Sequence, residues 1–137
     1  MEEIKILMVE DNEGDIILMQ EALREARIAN QVMVARDGQQ ALDLLQAEDS
    51  RPDLILLDIN LPKVNGLEVL ATIKKDASLQ IIPVIILTTS NSDKDILASY
   101  ANHANCFINK PVDLESFMEI IRSIESFWIS IVRLPKK

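Results

Sequence analysis

The sequence predicts an α/β protein in which five strands and five helices alternate strictly, forming a parallel sheet covered by helices on both faces. Three observations predict it. Short β-like apolar runs alternate with longer runs whose apolar residues recur at helical spacing. The 137-residue length fits one ordinary domain, 1–137, with no room for a second of normal size. The composition, 48% hydrophobic and 26% charged, is that of a folded globular protein rather than a disordered chain.

Each element has its own justification. Ile4–Val9 is an apolar run that stops at Glu10-Asp11-Asn12. Ile16, Ile17, Met19, Gln20, Leu23 and Ala26 follow at roughly helical spacing. Gln31–Ala35 is short and β-branched, and Asp37-Gly38 ends it as a turn. Ala41, Leu42, Leu44 and Leu45 mark the second helix. Asp53–Leu57 is a buried strand entered from Pro52 and stopped by Asp58. Gly66–Lys75 reads as a helix with apolar Leu67, Val69, Leu70 and Ile73. Pro83–Leu87 is a third apolar run, ending at Thr88-Thr89-Ser90, and Asp93–Asn102 is a weaker helix. Cys106–Ile108 is a short strand stopped by Lys110-Pro111. Val112-Asp113 begins an extended last helix with a tail, Leu134–Lys137. The crossovers are expected to be right-handed.

Composition also excludes function classes. With 14 Lys+Arg against 22 Asp+Glu the net charge is −8, and the pI is near 4.6. A net anion is not drawn to nucleic acid or to an anionic membrane surface. The longest apolar run, Ile81–Leu87, is far short of the roughly 18 residues a spanning helix needs. The acidic start MEEIKILMVE is not that of a signal peptide. The single cysteine, Cys106, fits a reducing compartment, so a cytoplasmic protein is expected.

In open α/β sheets ligands bind outside the carboxyl ends of the strands. The residues there are Glu10-Asp11, Asp58, Thr88-Thr89 and Lys110-Pro111. Clustered carboxylates repel one another unless a cation neutralises them. An all-oxygen set with an open face suits Mg²⁺. A lysine beside such a site is a point charge for a phosphoryl oxygen, and a threonine hydroxyl can donate to a second one. One carboxylate is then a nucleophile for phosphoryl transfer. A single aspartate after a strand is more often a cap or a loop residue, and Asn12, Asp15 and Asp113 are expected to be such residues. Complementary groups at four strand ends are much less easily placed by chance.

At these residues the sequence resembles a receiver domain of the response-regulator family, over essentially the whole chain. Glu10-Asp11 matches the acidic pair, and Asp58 in L-I-L-L-D-I-N-L-P-K-V-N-G matches the phosphoacceptor motif with Pro62 and Gly66 in place. Thr88 in I-L-T-T-S matches the hydroxyl position, and Lys110-Pro111 the lysine and its following proline. The resemblance implies a flavodoxin-like, doubly wound five-stranded sheet of order 2-1-3-4-5. It implies a switch in which Asp58 takes a phosphoryl group from a sensor histidine kinase. Asp11, Asp58 and the backbone carbonyl of Asn60 would bind Mg²⁺ directly, with Glu10 acting through water. Lys110 would pair with the phosphoryl group, Thr88 would close on it, and Phe107 would stand at the switch-aromatic position. The Lys110-Pro111 peptide is expected to be cis. Thr89 is bulkier than the residue often found there, and Asn60 and Ser90 flank the site. The runs A-N-C-F-I-N-K-P-V-D-L and F-W-I-S-I-V-R-L-P resemble single-domain regulators that accompany bacterial phytochromes. This narrower likeness suggests a phytochrome-like kinase as partner.

On the last helix, Leu114, Phe117, Met118, Ile121, Ile124, Trp128 and Val132 form one apolar stripe. Ile120, Phe127, Ile131 and Leu134 form a second, and together they span about 220–260°. The second stripe is expected to be an exposed partner surface; the alternative is a helix that ends near Phe127 with a tail folded back. By resemblance a homodimer through the fourth helix, fifth strand and fifth helix is expected. His103 reads as a helix-end residue and Cys106 as a packing residue. D-N-E-G-D at Asp11–Asp15 lacks the glycine and glutamate of a calcium loop.

Rival functions are weaker. An aspartyl-nucleophile phosphohydrolase of haloacid-dehalogenase type would need a second Asp where Asn60 stands. A flavodoxin would need phosphate-binding hydroxyls and amides where Glu10, Asp11 and Glu13 stand. A phosphorylation-independent adaptor would not need the complete motif set. The chain is therefore read as a signalling switch, not an enzyme beyond its own aspartyl phosphorylation and dephosphorylation.

Overall fold

The computed structural model describes residues 4–25, 30–47, 51–89, 92–111 and 113–124. Five strands and five helices alternate: β1 (Ile4–Val9), α1 (Glu13–Glu25), β2 (Asn30–Ala35), α2 (Gly38–Gln46), β3 (Leu54–Leu57), α3 (Gly66–Lys75), β4 (Val84–Thr88), α4 (Asp93–Ala101), β5 (Cys106–Asn109) and α5 (Leu114–Ile124). All strand pairings are parallel and the order is β2-β1-β3-β4-β5. This is the expected doubly wound, flavodoxin-like sheet.

The apolar runs of β1, β3 and β4 are continuous because these strands are interior and covered on both faces. Their side chains alternate between two cores. Leu7, Val9, Ile55, Leu57, Val84 and Ile86 face one core with Ala41, Leu45, Val69, Leu70 and Ile73 of α2 and α3. Ile6, Met8, Leu54, Leu56, Ile85 and Leu87 face the other with Ile16, Met19 and Leu23 of α1 and Phe117, Ile121 and Ile124 of α5. A one-residue register slip would exchange the two sets.

Boundaries moved by one or two residues, each for a local reason. Pro83 has no N–H, so β4 starts at Val84, while the Pro83 carbonyl still accepts from the Ile55 amide at 3.0 Å. Asp53 turns in ahead of β3 and accepts from the Lys5 amide through Oδ2 at 2.9 Å. Asp37-Gly38, read as a turn closing β2, is instead the start of α2. Asp37 is its N-cap, accepting from the Gln40 amide at 2.7 Å. A Cβ on Gly38 would lie 1.8 Å from the Val64 carbonyl oxygen, so only glycine fits there. Asn12 and Asp113 are caps as expected: Asn12 Oδ1 accepts from the Asp15 amide (2.9 Å) and Asp113 Oδ1 from the Ser116 amide (2.8 Å).

His103 ends α4 with φ 67°, the left-handed conformation of a helix terminus. The cis expectation at Lys110-Pro111 is corrected: no cis peptide occurs among the described residues. Trans is the lower-energy isomer of an X–Pro bond by about 0.5–1 kcal/mol, and this loop keeps it.

In α5, Phe117, Ile121 and Ile124 are buried, as the first stripe predicts. Ile120, placed on the exposed seam, is half-buried and packs against the α1–α5 core. Among the described residues the large apolar side chains left exposed are Ile17 on α1, Ile81 ahead of β4, and Leu97 (72%) and Tyr100 (49%) on α4. Phe127, Ile131 and Leu134, with Trp128 and Val132, lie outside the described residues, as do Ala26, Ser90 and Val112.

Candidate functional site

The switch point of the sheet lies between β1 and β3, where the chain goes first to β2 and then back to β3. The crevice beyond their carboxyl ends holds Glu10 and Asp11 from β1 and Asp58 from β3. Glu10 (2% exposed) and Asp58 (4%) are buried, while Asp11 is exposed. One carboxylate oxygen from each of the three lies within 4.8 Å of the others.

The backbone fixes the nucleophile candidate firmly. The Asp58 amide donates to the Val9 carbonyl at 3.0 Å, which ties the end of β3 to β1. Asp58 Oδ1 accepts from the Asn60 amide at 3.2 Å. The Gly66 amide, opening α3, donates to the Ile59 carbonyl at 2.8 Å. A Cβ on Gly66 would sit 2.1 Å from the Asp58 carbonyl oxygen and 2.6 Å from Ile59 Cα, so a glycine is what lets α3 approach.

Lys110 crosses to this crevice from the end of β5, held by its amide to the Thr88 carbonyl at 2.7 Å. Its buried Nζ donates to Asp58 Oδ2 at 2.8 Å and to Asp15 Oδ2 at 2.9 Å, and pairs with Glu10 Oε1. Thr88 is fully buried at the end of β4, and Thr89 beside it is exposed. Phe107 is half-buried against the α2–α3 core, and its amide donates to the Tyr100 hydroxyl at 3.2 Å. Asn60 is exposed at the rim.

The electrostatics are those of a site short of positive charge. Burial pushes the Glu10 carboxyl up to about 7, against the lowering effect of its bonds from Lys110 and the Asn12 amide. Burial alone would bring the Lys110 ammonium down, but its bonds to Asp58, Glu10 and Asp15 outweigh it and hold the group well above the ordinary lysine value. One ammonium is shared among three carboxylates, so the deficit falls on the most buried of them. The three clustered carboxylates, two buried and one open to solvent, fit a hard divalent cation that keeps part of its water shell.

The structure therefore brings together Glu10, Asp11, Asp58 and Lys110 as the sequence places them, with Thr88 next to Lys110 through its backbone carbonyl. Asp15 is a correction. It was expected to be a cap or turn former, but Asn12 is the cap and the Asp15 carboxylate reaches Lys110. A signal for this existed: side chains in a helix's first turn lean back toward its N-terminus, which here is the crevice.

With that geometry in hand, the chain belongs to the response regulator receiver domain family, which it matches over residues 6–122. Members of this family are signalling receivers phosphorylated on an aspartate, and receiver domains generally bind a divalent metal. Among individual proteins it is 44% identical to the response regulator Rcp1 of Synechocystis sp. over 135 residues, covering 95% of this chain and 92% of that one. The crystal structure of the Mn²⁺-bound form of Rcp1 superposes with a TM-score of 0.89 at 45% identity, covering 97% of this chain and 99% of that one. The phosphorylated cyanobacterial phytochrome response regulator RcpA superposes with a TM-score of 0.93 at 47% identity, covering 98% and 100%.

Proposed function

We propose that Asp58 is the phosphoacceptor of a two-component phosphorelay switch whose output is a change in protein–protein contacts. One observation carries this reading. Asp58 is buried at the sheet's switch point with its two oxygens held separately, Oδ1 by the Asn60 amide and Oδ2 by Lys110. A carboxylate oxygen of Asp58 attacks the phosphorus of a kinase phosphohistidine; the P–O bond forms, the P–N bond breaks and the imidazole leaves. Lys110 pairs with the transferred group and the Thr88 hydroxyl closes on it. Asp11, Asp58 and the Asn60 carbonyl would hold Mg²⁺, with Glu10 acting through water, as the family resemblance implies and the three clustered carboxylates support. A bound Mg²⁺ offsets negative charge on the transferred group.

The kinase is proposed to be phytochrome-like, on the strength of the relatives Rcp1 and RcpA, and to meet this chain in the cytoplasm. Phe107 is proposed to move with Thr88. A homodimer through α4, β5 and α5 is supported by the exposure of Leu97 and Tyr100. Ile120 is too buried for a clean test, so Leu97→Glu is the better variant, read by sedimentation. Among the described residues no helix is long and apolar enough to cross a membrane. Asn60, where a dehalogenase-type hydrolase needs its general acid, disfavours the enzyme alternative.

The deciding experiment is incubation with acetyl phosphate and Mg²⁺, read by intact mass. Wild type should gain one phosphoryl group and Asp58→Asn none. An unmodified wild type, or equal labelling of the variant, would sink the proposal.

A further inference from the structure

Lys110 Nζ has three N–H donors, and the structure gives each of them a carboxylate: Glu10, Asp58 and Asp15. The three acceptors are not equivalent. Glu10 and Asp58 also belong to the cluster of carboxylates that could hold a cation, whereas Asp15 stands outside it. Asp15 comes from the first turn of α1 and reaches Lys110 across the crevice, 95 residues away in sequence. Its backbone is fixed by the Asn12 cap, so the side chain leaves from a set position. An acidic residue in a first helical turn is favoured by the helix dipole alone. That preference does not require an ion pair with a lysine whose side chain is 4% exposed.

We infer that Asp15 is a positioning residue for the phosphoryl-transfer reaction: it holds the Lys110 ammonium over Asp58 when Glu10 and Asp58 turn their oxygens to other partners. This inference rests on the reading of Asp58 as phosphoacceptor. Lysine is a compact charge on a flexible four-carbon stem, so its placement depends on what its donors meet. A bound cation would take up lone pairs of Asp58 and, through water, of Glu10, and transfer turns one Asp58 oxygen into the bridging oxygen of an acyl phosphate. Of the three acceptors, only Asp15 is untouched by both events. It anchors one donor of Lys110 while the others pass to the incoming phosphoryl oxygens. Without it, no acceptor outside the reacting cluster holds the ammonium in place through the transfer.

The test is Asp15→Asn, which keeps the shape and the Asn12 cap but replaces a charged acceptor by a neutral one. With acetyl phosphate and Mg²⁺, the rate at saturating donor should fall roughly tenfold or more, because a charge-assisted bond is lost. The half-saturating donor concentration should not rise, since the variant removes a negative charge from a site that binds an anion. Asp15→Glu, which keeps the carboxylate, should recover part of the rate. A readout free of both metal and turnover is the ammonium ¹H–¹⁵N signal of Lys110 in metal-free protein: slow-exchanging in wild type, broadened in Asp15→Asn. A saturated rate within about twofold of wild type overturns the inference, as does a loss confined to donor affinity or an unchanged Lys110 signal. If wild type itself does not label on Asp58, the failure is that of the phosphoacceptor reading instead.

Discussion

Replacing Gly66 by alanine puts a methyl group against the backbone of the phosphoacceptor itself. The added Cβ would meet the Asp58 carbonyl oxygen at 2.1 Å, Ile59 Cα at 2.6 Å and the Asp58 carbonyl carbon at 2.8 Å. A carbon–oxygen contact settles at about 3.3 Å or more, so α3 and the β3 end must separate by roughly 1.2 Å. Every atom in the way is backbone, and backbone at the end of an interior strand cannot rotate aside. Overpacking of this kind costs about 1–3 kcal/mol or more. The Gly66 amide bond to Ile59, 2.8 Å long, stretches as well, at about 1 kcal/mol. Restricting the unfolded chain returns about 0.4–1 kcal/mol. The net expectation is a loss of about 1–3.6 kcal/mol.

Function should suffer beyond stability. A shift of about 1 Å in a reacting group can cost on the order of a hundredfold in rate. Urea unfolding gives the first quantity, and the rate of Asp58 labelling by acetyl phosphate under folding conditions gives the second. Gly14→Ala is the milder comparison: its Cβ meets only Asn12 Oδ1, at 3.3 Å, and that capping oxygen needs to give by just a few tenths of an ångström. That variant should change stability by much less than Gly66→Ala does. A Gly66→Ala protein within about 0.5 kcal/mol of wild type and labelled within about twofold of its rate would refute the close-approach argument.

Other perturbations read other parts of the structure. Lys110→Met leaves Glu10 and Asp58 buried without their ammonium, so metal-free protein should lose about 3–5 kcal/mol in urea unfolding, and Mg²⁺ should return part of it. An equal loss with and without Mg²⁺ would contradict the charge-deficit account. His103→Gly relieves a left-handed backbone at the end of α4 and should raise stability by about 1 kcal/mol; a lower melting temperature would show that the imidazole contributes something else. Burial pushes the Cys106 thiol above its ordinary value, which means less thiolate at a given pH. Alkylation near pH 8 should therefore be slower in folded than in urea-unfolded protein, and equal rates would count against that burial.

The fold was legible because interior parallel strands and amphipathic helices leave different apolar periods, and each of the five strands is followed by a helix. The four strand-end groups were legible because the topology sends all carboxyl ends to one side. What stayed hidden depends on distance between elements. Nothing local to Gly38 says that the Val64 carbonyl will pass over it, so Asp37-Gly38 looks like a turn and is a helix start. Asp15 looks like a cap because caps and first-turn acids share a composition, and its partner is 95 residues away. Ile120 looks exposed from its angle on the helix, but α5 packs beside α1 and covers a broader arc than one stripe. The amphipathic angle describes a helix against one plane, whereas α5 meets both the sheet and a neighbouring helix.

The arrangement of charge explains why such a site can exist at all. Glu10, Asp15 and Asp58 share the Lys110 ammonium, Asp11 stands beside Glu10 and Asp58, and burial pushes the Glu10 carboxyl up to about 7. Taken alone, that pole of the molecule opposes folding. The opposing cost is met elsewhere, in the two apolar clusters on either side of β1, β3 and β4. The consequence is directional. A ligand that brings positive charge to the crevice is favoured by the folded state only, so binding and stability are linked. With Asp58 as phosphoacceptor, phosphorylation would redistribute charge at the point where Lys110 joins the ends of β5 and α1 to the end of β3.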